Sequence, residues 1–280
     1  MPLLSSYEMT RRAAAEGYAV AALNAENLEM VQAIISAAEE LKAPVMIQTT
    51  PSTVKYLTLE EGYAMVEAMA RTASVPVALH LDHCEKFDDC MKALRVGYTS
   101  VMIDGSKLPY EENVEITKKV VAAAHPMGVA VEAELGTVGG KEDGHSAEVQ
   151  YTEPDMAVDF AERTGIDLFA VAIGTAHGFY KGVPKLNFDI LTEVAHRIDV
   201  PLVLHGGSGL SDDTIRKTIE LGIRKVNFAT ELRAAATAAV REALKDEKII
   251  DPKKFMGPAR EAVKELAKAK IMLTGSAGKY

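Results

Sequence analysis

Pro201-Leu202-Val203-Leu204-His205-Gly206-Gly207-Ser208-Gly209-Leu210-Ser211-Asp212-Asp213 carries three signals in succession. An apolar run bounded by proline and glycine reads as a short strand buried on both faces. A glycine-rich turn follows, and Ser-Asp-Asp then caps an amphipathic helix over residues 212–221. Strand, loop and helix in that order make one βα unit. Outward from it the same order recurs. Comparable runs occupy residues 19–25, 44–50, 77–83, 100–106, 129–136, 168–175 and 225–230, which with 201–208 makes eight. Helical patterns lie between them, such as residues 28–41 with Val31, Ile34, Ile35 and Ala38 on one stripe. Eight βα units in 280 residues predict an α/β fold of (β/α)8 (TIM) barrel type. No linker-like stretch divides the chain, so residues 1–280 are expected to form a single barrel domain with a C-terminal helical extension.

Composition sets outer bounds. The chain is 48% hydrophobic and 25% charged, an ordinary balance for a globular protein. Thirty-one Lys and Arg against 40 Asp and Glu give a formal charge of −9. That argues against nucleic acid or an anionic membrane as partner, but not against a small anionic substrate. No apolar run approaches the length of a membrane span, and residues 1–10 lack the pattern of a secretion signal. Cys84 and Cys90 are the only cysteines and read as core thiols rather than a disulfide framework. A cytoplasmic location is the expectation.

The C-terminal ends of the runs carry the chemistry. In order they offer Asn24, Thr49–Thr50, Asp82–His83, Asp104, Glu134, Thr175–His177, His205–Ser208 and Asn227–Thr230. The opposite ends are bland: Ala19, Pro44, Val77, Val129 and Pro201. In a barrel the former converge on one mouth, where active sites of this architecture sit. Three of the seven histidines, His83, His177 and His205, fall where the third, sixth and seventh runs finish. Imidazoles converging from separate strands suit Zn²⁺ with one position left open. His80, His125, His145 and His196 lack that placement and read as structural or exposed. Asp82 would point into the mouth beside His83. Asp104 and Glu134 could hold a second cation or orient the metal ligands, although Lys107 is an ordinary ion-pair partner for Asp104. Glu132 shares a strand face with Glu134 but lies deeper.

Gly206, Gly207 and Ser208 precede a helix, and Asn227, Phe228, Ala229 and Thr230 end the eighth run. Loops after the last two strands of such a barrel commonly hold phosphate, through backbone N–H groups and a helix N-terminus. A second glycine loop, Gly136-Thr137-Val138-Gly139-Gly140-Lys141-Glu142-Asp143-Gly144, reads as a lid.

Five motifs carry a resemblance: His80-Leu81-Asp82-His83, Val101-Met102-Ile103-Asp104, Glu132-Ala133-Glu134-Leu135-Gly136, Gly174-Thr175-Ala176-His177-Gly178 and Leu204-His205-Gly206-Gly207-Ser208-Gly209. In order and spacing, over residues 2 to about 260, the chain resembles the metal-dependent class II fructose- and tagatose-bisphosphate aldolases. The resemblance implies zinc-dependent, reversible retro-aldol cleavage of a ketose 1,6-bisphosphate to dihydroxyacetone phosphate and glyceraldehyde 3-phosphate. It implies His83, His177 and His205 as zinc ligands, Asp82 as acid/base on the C4 hydroxyl, and Glu142 as the group exchanging the C3 proton. Gly178, Gly206, Gly207, Ser208 and residues 227–230 would hold dihydroxyacetone phosphate, with Asn24 and Thr50 completing the substrate-binding set. Asp104 and Glu134 match positions that bind a second cation in some members, divalent or monovalent; Lys141 stands where some relatives carry an acidic residue. Gln48-Thr49-Thr50-Pro51 and the Gly174–Tyr180 segment look closer to the tagatose-bisphosphate branch. Asp251-Pro252-Lys253 stands where many members resemble Asp-Pro-Arg, whose cation grips the distal phosphate across a subunit interface. Lys253 keeps the charge without the bidentate fork. A homodimer or homotetramer is also implied.

Other classes are weighed by the same residues. An aldolase acting on another phosphorylated ketose would keep the whole set. A non-catalytic phosphosugar-binding barrel would not need Asp82 and Glu142 together with three histidines. A metal hydrolase of this fold would not need the phosphate cradle and lid. A lysine-dependent aldolase needs a lysine at a strand's C-terminal end; Lys225 is expected to open the eighth run, at the wrong end.

Overall fold

A computed structural model describes residues 3–142, 145–147, 150–180, 182 and 184–280, with side chains omitted for 141–142 and 145–147. Eight parallel strands close into a barrel: β1 (Val20–Asn24), β2 (Val45–Thr49), β3 (Val77–Cys84), β4 (Ser100–Ile103), β5 (Ala130–Leu135), β8 (Leu168–Val171), β10 (Leu202–Leu204) and β11 (Ile223–Phe228). Each pairs with its neighbour in sequence, and β11 closes on β1 with Val20 beside Lys225 and Ala22 beside Asn227. This is the (β/α)8 barrel read from the eight runs. Between the fifth and seventh barrel strands, β6 (Gly139–Glu142), β7 (His145–Ala147) and β9 (Ala176–His177) form a separate small sheet.

The barrel helices include α2 (Leu28–Glu40), α5 (Phe87–Val96), α6 (Tyr110–Ala124), α7 (Pro154–Thr164), α8 (Phe188–Arg197), α9 (Asp212–Glu220) and α10 (Thr230–Ala243); α3 (Pro51–Tyr56) and α4 (Leu59–Ala70) share one connection. The expected cap at Ser211 is present, its Oγ accepting from the Thr214 N–H at 3.2 Å. The C-terminal extension is α11 (Pro252–Leu273), laid against α2 and α10.

Strand alternation separates two environments. Ala19, Ala21, Leu23, Val45, Ile47, Leu79 and Val101 face the helix layer. Val20, Ala22, Met46 and Ala78 face inward, where α1 (Ser6–Glu16) stoppers the lower end with Met9 and Ala13. Ala130, Leu168, Ala170 and Val203 form the inward cluster on the other side. Small inward side chains leave room for a polar middle layer. There Lys225 and Glu132 are wholly buried with Nζ 2.7 Å from Oε2, and His80 Nδ1 lies 2.7 Å from Ser100 Oγ. Ser6 Oγ of α1 donates to Ser100 Oγ at 2.6 Å, which ties the stopper to that layer.

Three expectations change here. Lys225 does not open the last strand but sits within it, inside the barrel. The sixth strand stops at Val171, so His177 belongs to β9 of the small sheet rather than to the end of a barrel strand. The lid is not a plain loop: β6 pairs antiparallel with β7 and parallel with β9, Gly140 opposite His177.

Candidate active site

Adjacent residues on a strand face opposite ways, so Asp82 and His83 should not both reach the mouth. A register shift between β3 and β4 at Leu81–Cys84 solves this. His83 takes a left-handed backbone, φ 49°, costly for a residue with a Cβ and tolerated where a site demands it. His205 comes directly after β10. The three rings meet: His83 to His205 centroids are 4.5 Å apart, His83 to His177 4.9 Å, His177 to His205 6.0 Å. One nitrogen from each lies within 4.8 Å of the other two.

Second partners set the tautomers. His83 Nδ1 is 3.0 Å from Asp104 Oδ2, which leaves Nε2 on the side of the cluster. His205 Nε2 is 2.9 Å from Glu132 Oε1, and its Nδ1, 3.4 Å from Glu134 Oε2, is buried without a hydrogen bond. Burial pushes the His205 imidazole below its ordinary value, repulsion from His83 adds to this, and the Glu132 hydrogen bond only partly offsets it. A neutral, buried imidazole with one unsatisfied nitrogen is a metal ligand in form. Two further imidazoles converge on it. This donor set fits Zn²⁺ and leaves a fourth position for another ligand.

Beside it, His83, Asp104 and Glu134 form a second candidate set. Burial raises the Asp104 carboxyl, but hydrogen bonds from His83 and Ser106 hold it well below the carboxylate range. Lys107 is not its partner; that ammonium reaches Glu85 at 2.6 Å.

Asp82, buried, stands in a chain of amides. Gln48 Nε2 donates to Asp82 Oδ2 at 3.1 Å and to Asn24 Oδ1 at 3.0 Å. Asn227 Nδ2 approaches both Asp82 oxygens at 3.4 Å. Burial raises this carboxyl, yet the imidazoles of His83 and His80 and the Lys225 ammonium hold it well below its usual value.

The predicted cradle forms where the loops after β10 and β11 meet. Gly207 N–H donates to the Asn227 carbonyl at 3.1 Å and Ala229 N–H to Ser208 Oγ at 3.2 Å. Gly206 has φ +67°, and a Cβ there would stand 2.5 Å from the Ala176 carbonyl oxygen, so no larger residue fits without moving the His177 segment. Asn24, Asp82, His177, Gly178, Ser208 and Arg233 are among the residues lining this cavity. Gly206, Asn227, Ala229 and Thr230 line it as well, and α10 begins at Thr230, presenting its N-terminus. Phe228 packs into the helix-side core, with Lys270 Nζ 4.9 Å from its ring centre, and can offer the site only its backbone.

Thr50 is buried at the start of α3, its Oγ1 3.1 Å from Ser52 Oγ. Lys253 is exposed at the start of α11, paired with Asp251 at 2.9 Å, and is not among the residues lining that cavity. The backbone of Glu142 pairs with His145. The side chains of Lys141, Glu142 and His145 lie outside the described residues, as do Asp143 and Gly144. His80, expected to be structural or exposed, is fully buried in the barrel, whereas His125 is exposed beside Asp167 at 2.9 Å. Cys84 and Cys90 are both buried.

Sequence reasoning missed Gln48 and Arg233 as site residues. Arg233 lies three positions after Thr230 on α10, hence on the same helix face. That spacing was available as a signal. Its guanidinium is held by Glu26 at 2.6 Å, and Glu26 also accepts from Thr53 Oγ1 at 2.7 Å.

Comparison with known proteins agrees with this geometry. The family model described as "Fructose-bisphosphate aldolase class-II" matches residues 5–279. A fructose-bisphosphate aldolase of Staphylococcus epidermidis is 46% identical over 284 residues, covering 100% of this chain and 99% of the relative. A probable fructose-bisphosphate aldolase of Bacillus subtilis is 48% identical over 286 residues, covering 99% of each. Among solved structures, the YdjI aldolase of Escherichia coli K12 superposes with TM-score 0.89 at 40% identity, again over 99% of each chain.

Proposed function

The chain belongs to the class II fructose-bisphosphate aldolase family, and from that premise we propose that it cleaves a ketose 1,6-bisphosphate, fructose or tagatose, reversibly to dihydroxyacetone phosphate and glyceraldehyde 3-phosphate. As a member of that family it is an aldolase, a carbon–carbon lyase. One observation carries the reading. Three imidazoles, a buried carboxylate and a glycine-lined helix N-terminus share one barrel mouth.

His83, His177 and His205 would hold Zn²⁺. When bound, the ion supplies a Lewis acid that draws off the charge left on the substrate's oxygens as C3–C4 breaks. The backbone N–H groups of Gly206 and Ser208 and the start of α10 would bind the C1 phosphate, while the Gly207 N–H, donated to the Asn227 carbonyl, ties the two loops together; Arg233 would add a cation at the cavity wall. Asp82, ionised at neutral pH and held by Gln48 and Asn227, would take the C4 hydroxyl proton as the C3–C4 bond breaks. The electron pair of that bond stays on C3, and Glu142 on the β6–β7 hairpin would deliver the proton that C3 then takes. Asp104 and Glu134 support a second cation, divalent or monovalent. Lys253 would reach a distal phosphate only from a neighbouring subunit, as a homodimer or homotetramer would allow.

Among the described residues no helix is long and apolar enough to cross a membrane. A coupled assay for triose phosphate release, run with each epimer, with and without chelator, tests the proposal. Absence of triose phosphate from both epimers with zinc present would overturn it.

A further inference from the structure

The wholly buried Lys225 is given no contact with substrate in the reaction outlined above. An ammonium in a barrel interior is costly unless paired, and its ion-pair partner is Glu132, at 2.7 Å. Glu132 divides its oxygens. Oε2 faces Lys225, with His80 Nε2 3.7 Å away, and Oε1 meets His205 Nε2 at 2.9 Å. Three bases thus surround one carboxylate, and the one nearest the mouth is an expected zinc ligand.

A neutral imidazole has one N–H. Donated from Nε2 to Glu132 at 2.9 Å, it leaves the lone pair on Nδ1, a buried atom that makes no hydrogen bond although Glu134 Oε2 stands 3.4 Å away. If Glu132 turned away, or carried a proton, the ring could reverse its tautomer and offer the cluster an N–H instead. The carboxylate must therefore stay ionised and stay aimed, and the Lys225 ammonium on its far oxygen meets both needs. His80 cannot replace it. Its Nδ1 is engaged with Ser100, and its Nε2 lies as near Asp82, at 3.6 Å, as Glu132.

We propose that Lys225, acting through Glu132, is a positioning residue that sets the tautomer and aim of His205 and so determines metal affinity from beneath the site. This rests on the zinc-site reading above, but its test is separable from it. In metal-free wild-type protein, ¹⁵N shifts should show His205 protonated on Nε2. Lys225→Met keeps the length and removes the charge. It should weaken zinc binding, read by chelator competition, by about 10- to 100-fold, the usual cost of losing a group behind a ligand. Glu132→Gln should weaken it to a similar degree. In the Glu132→Gln background, Lys225→Met should add little, because a neutral amide no longer needs a counter-charge.

Phosphate binding, read with inorganic phosphate, should stay near wild type in every variant, which a general loss of structure would not permit. A His205 protonated on Nδ1 in the wild type would overturn the proposal without any variant having to fold. So would Lys225→Met and Glu132→Gln variants that each bind zinc within twofold of wild type. Should the wild-type protein bind no zinc at all, the zinc-site reading fails instead, and the tautomer measurement still decides the role of Glu132.

Discussion

Replacing Asp82 with asparagine separates chemistry from structure unusually well here. The carboxylate accepts from Gln48 and Asn227, so an amide placed there would at first set NH₂ against NH₂. The surrounding amides can invert together. Gln48 Oε1, Asn227 Oδ1 and Asn24 Nδ2 are all buried without partners, so flipping Gln48 and Asn227 turns acceptors toward the new NH₂. Flipping Asn24 then restores its bond to Gln48. The net exchange is charge-assisted bonds, about 1.5–3 kcal/mol, for neutral ones of about 1 kcal/mol, offset by no longer burying a charge. Stability should therefore change by roughly 1 kcal/mol or less, about 2 °C in Tm for a chain of this size. Catalysis should not survive as well. A neutral amide cannot accept the C4 hydroxyl proton, and losing a general base costs about 10²- to 10⁴-fold in rate. The assay pairs calorimetry and zinc content with kcat from triose phosphate release. A kcat within tenfold of wild type would refute the role given to Asp82, and a Tm lowered by more than about 5 °C would refute the amide inversion.

Other outcomes follow from the same geometry. His177→Ala should lose tightly held zinc by elemental analysis and lose activity with it, while circular dichroism stays that of the barrel; full zinc retention would remove His177 from the ligand set. Gly206→Ala should lower Tm by about 2 °C or more, since a left-handed Cβ costs about 1–2 kcal/mol and this one meets the Ala176 carbonyl. Zinc affinity should fall with it, because the strand that must move carries His177. In metal-free protein, His80 and His205 both lie below their ordinary pKa through burial, with Lys225 and His83 respectively adding to it. The unfolded chain then binds more protons than the folded one below about pH 6.5. Stability in urea should accordingly fall from pH 7 to pH 5, by at most about 1.4 kcal/mol per pH unit for each histidine. The depressed carboxylates Asp82, Asp104 and Glu132 lose their contribution only near and below pH 4, outside that window. A flat or rising stability on acidification would contradict the neutral-imidazole reading.

The barrel is legible in the amino-acid sequence, because short apolar runs alternating with capped amphipathic helices leave few other ways to bury both strand faces. The sequence also placed chemistry at one end, since polar residues that finish buried strands in so consistent a position have no packing reason to be there. The glycines at 206 and 207 announced a close backbone approach in the same way. The inward face, by contrast, was decided only in the tertiary structure. A run such as Ile223–Phe228 is buried on both sides, so its hydrophobic pattern does not say whether Lys225 points to helices or to the barrel interior. The same ambiguity hid the pairing of Lys225 with Glu132, 93 residues away in sequence. Local pattern likewise could not reveal the irregularity at Leu81–Cys84, because a bulge is a property of two paired strands. That one shift, with His83 held at φ 49°, overrides strand alternation and sets Asp82 and His83 side by side. Nor could the glycine loop be read as a hairpin docked on β9: its pairing partner at Ala176–His177 is supplied by a distant segment. Periodicity and end residues are local quantities and survive in one dimension, whereas facing, register and partner depend on which strand lies alongside.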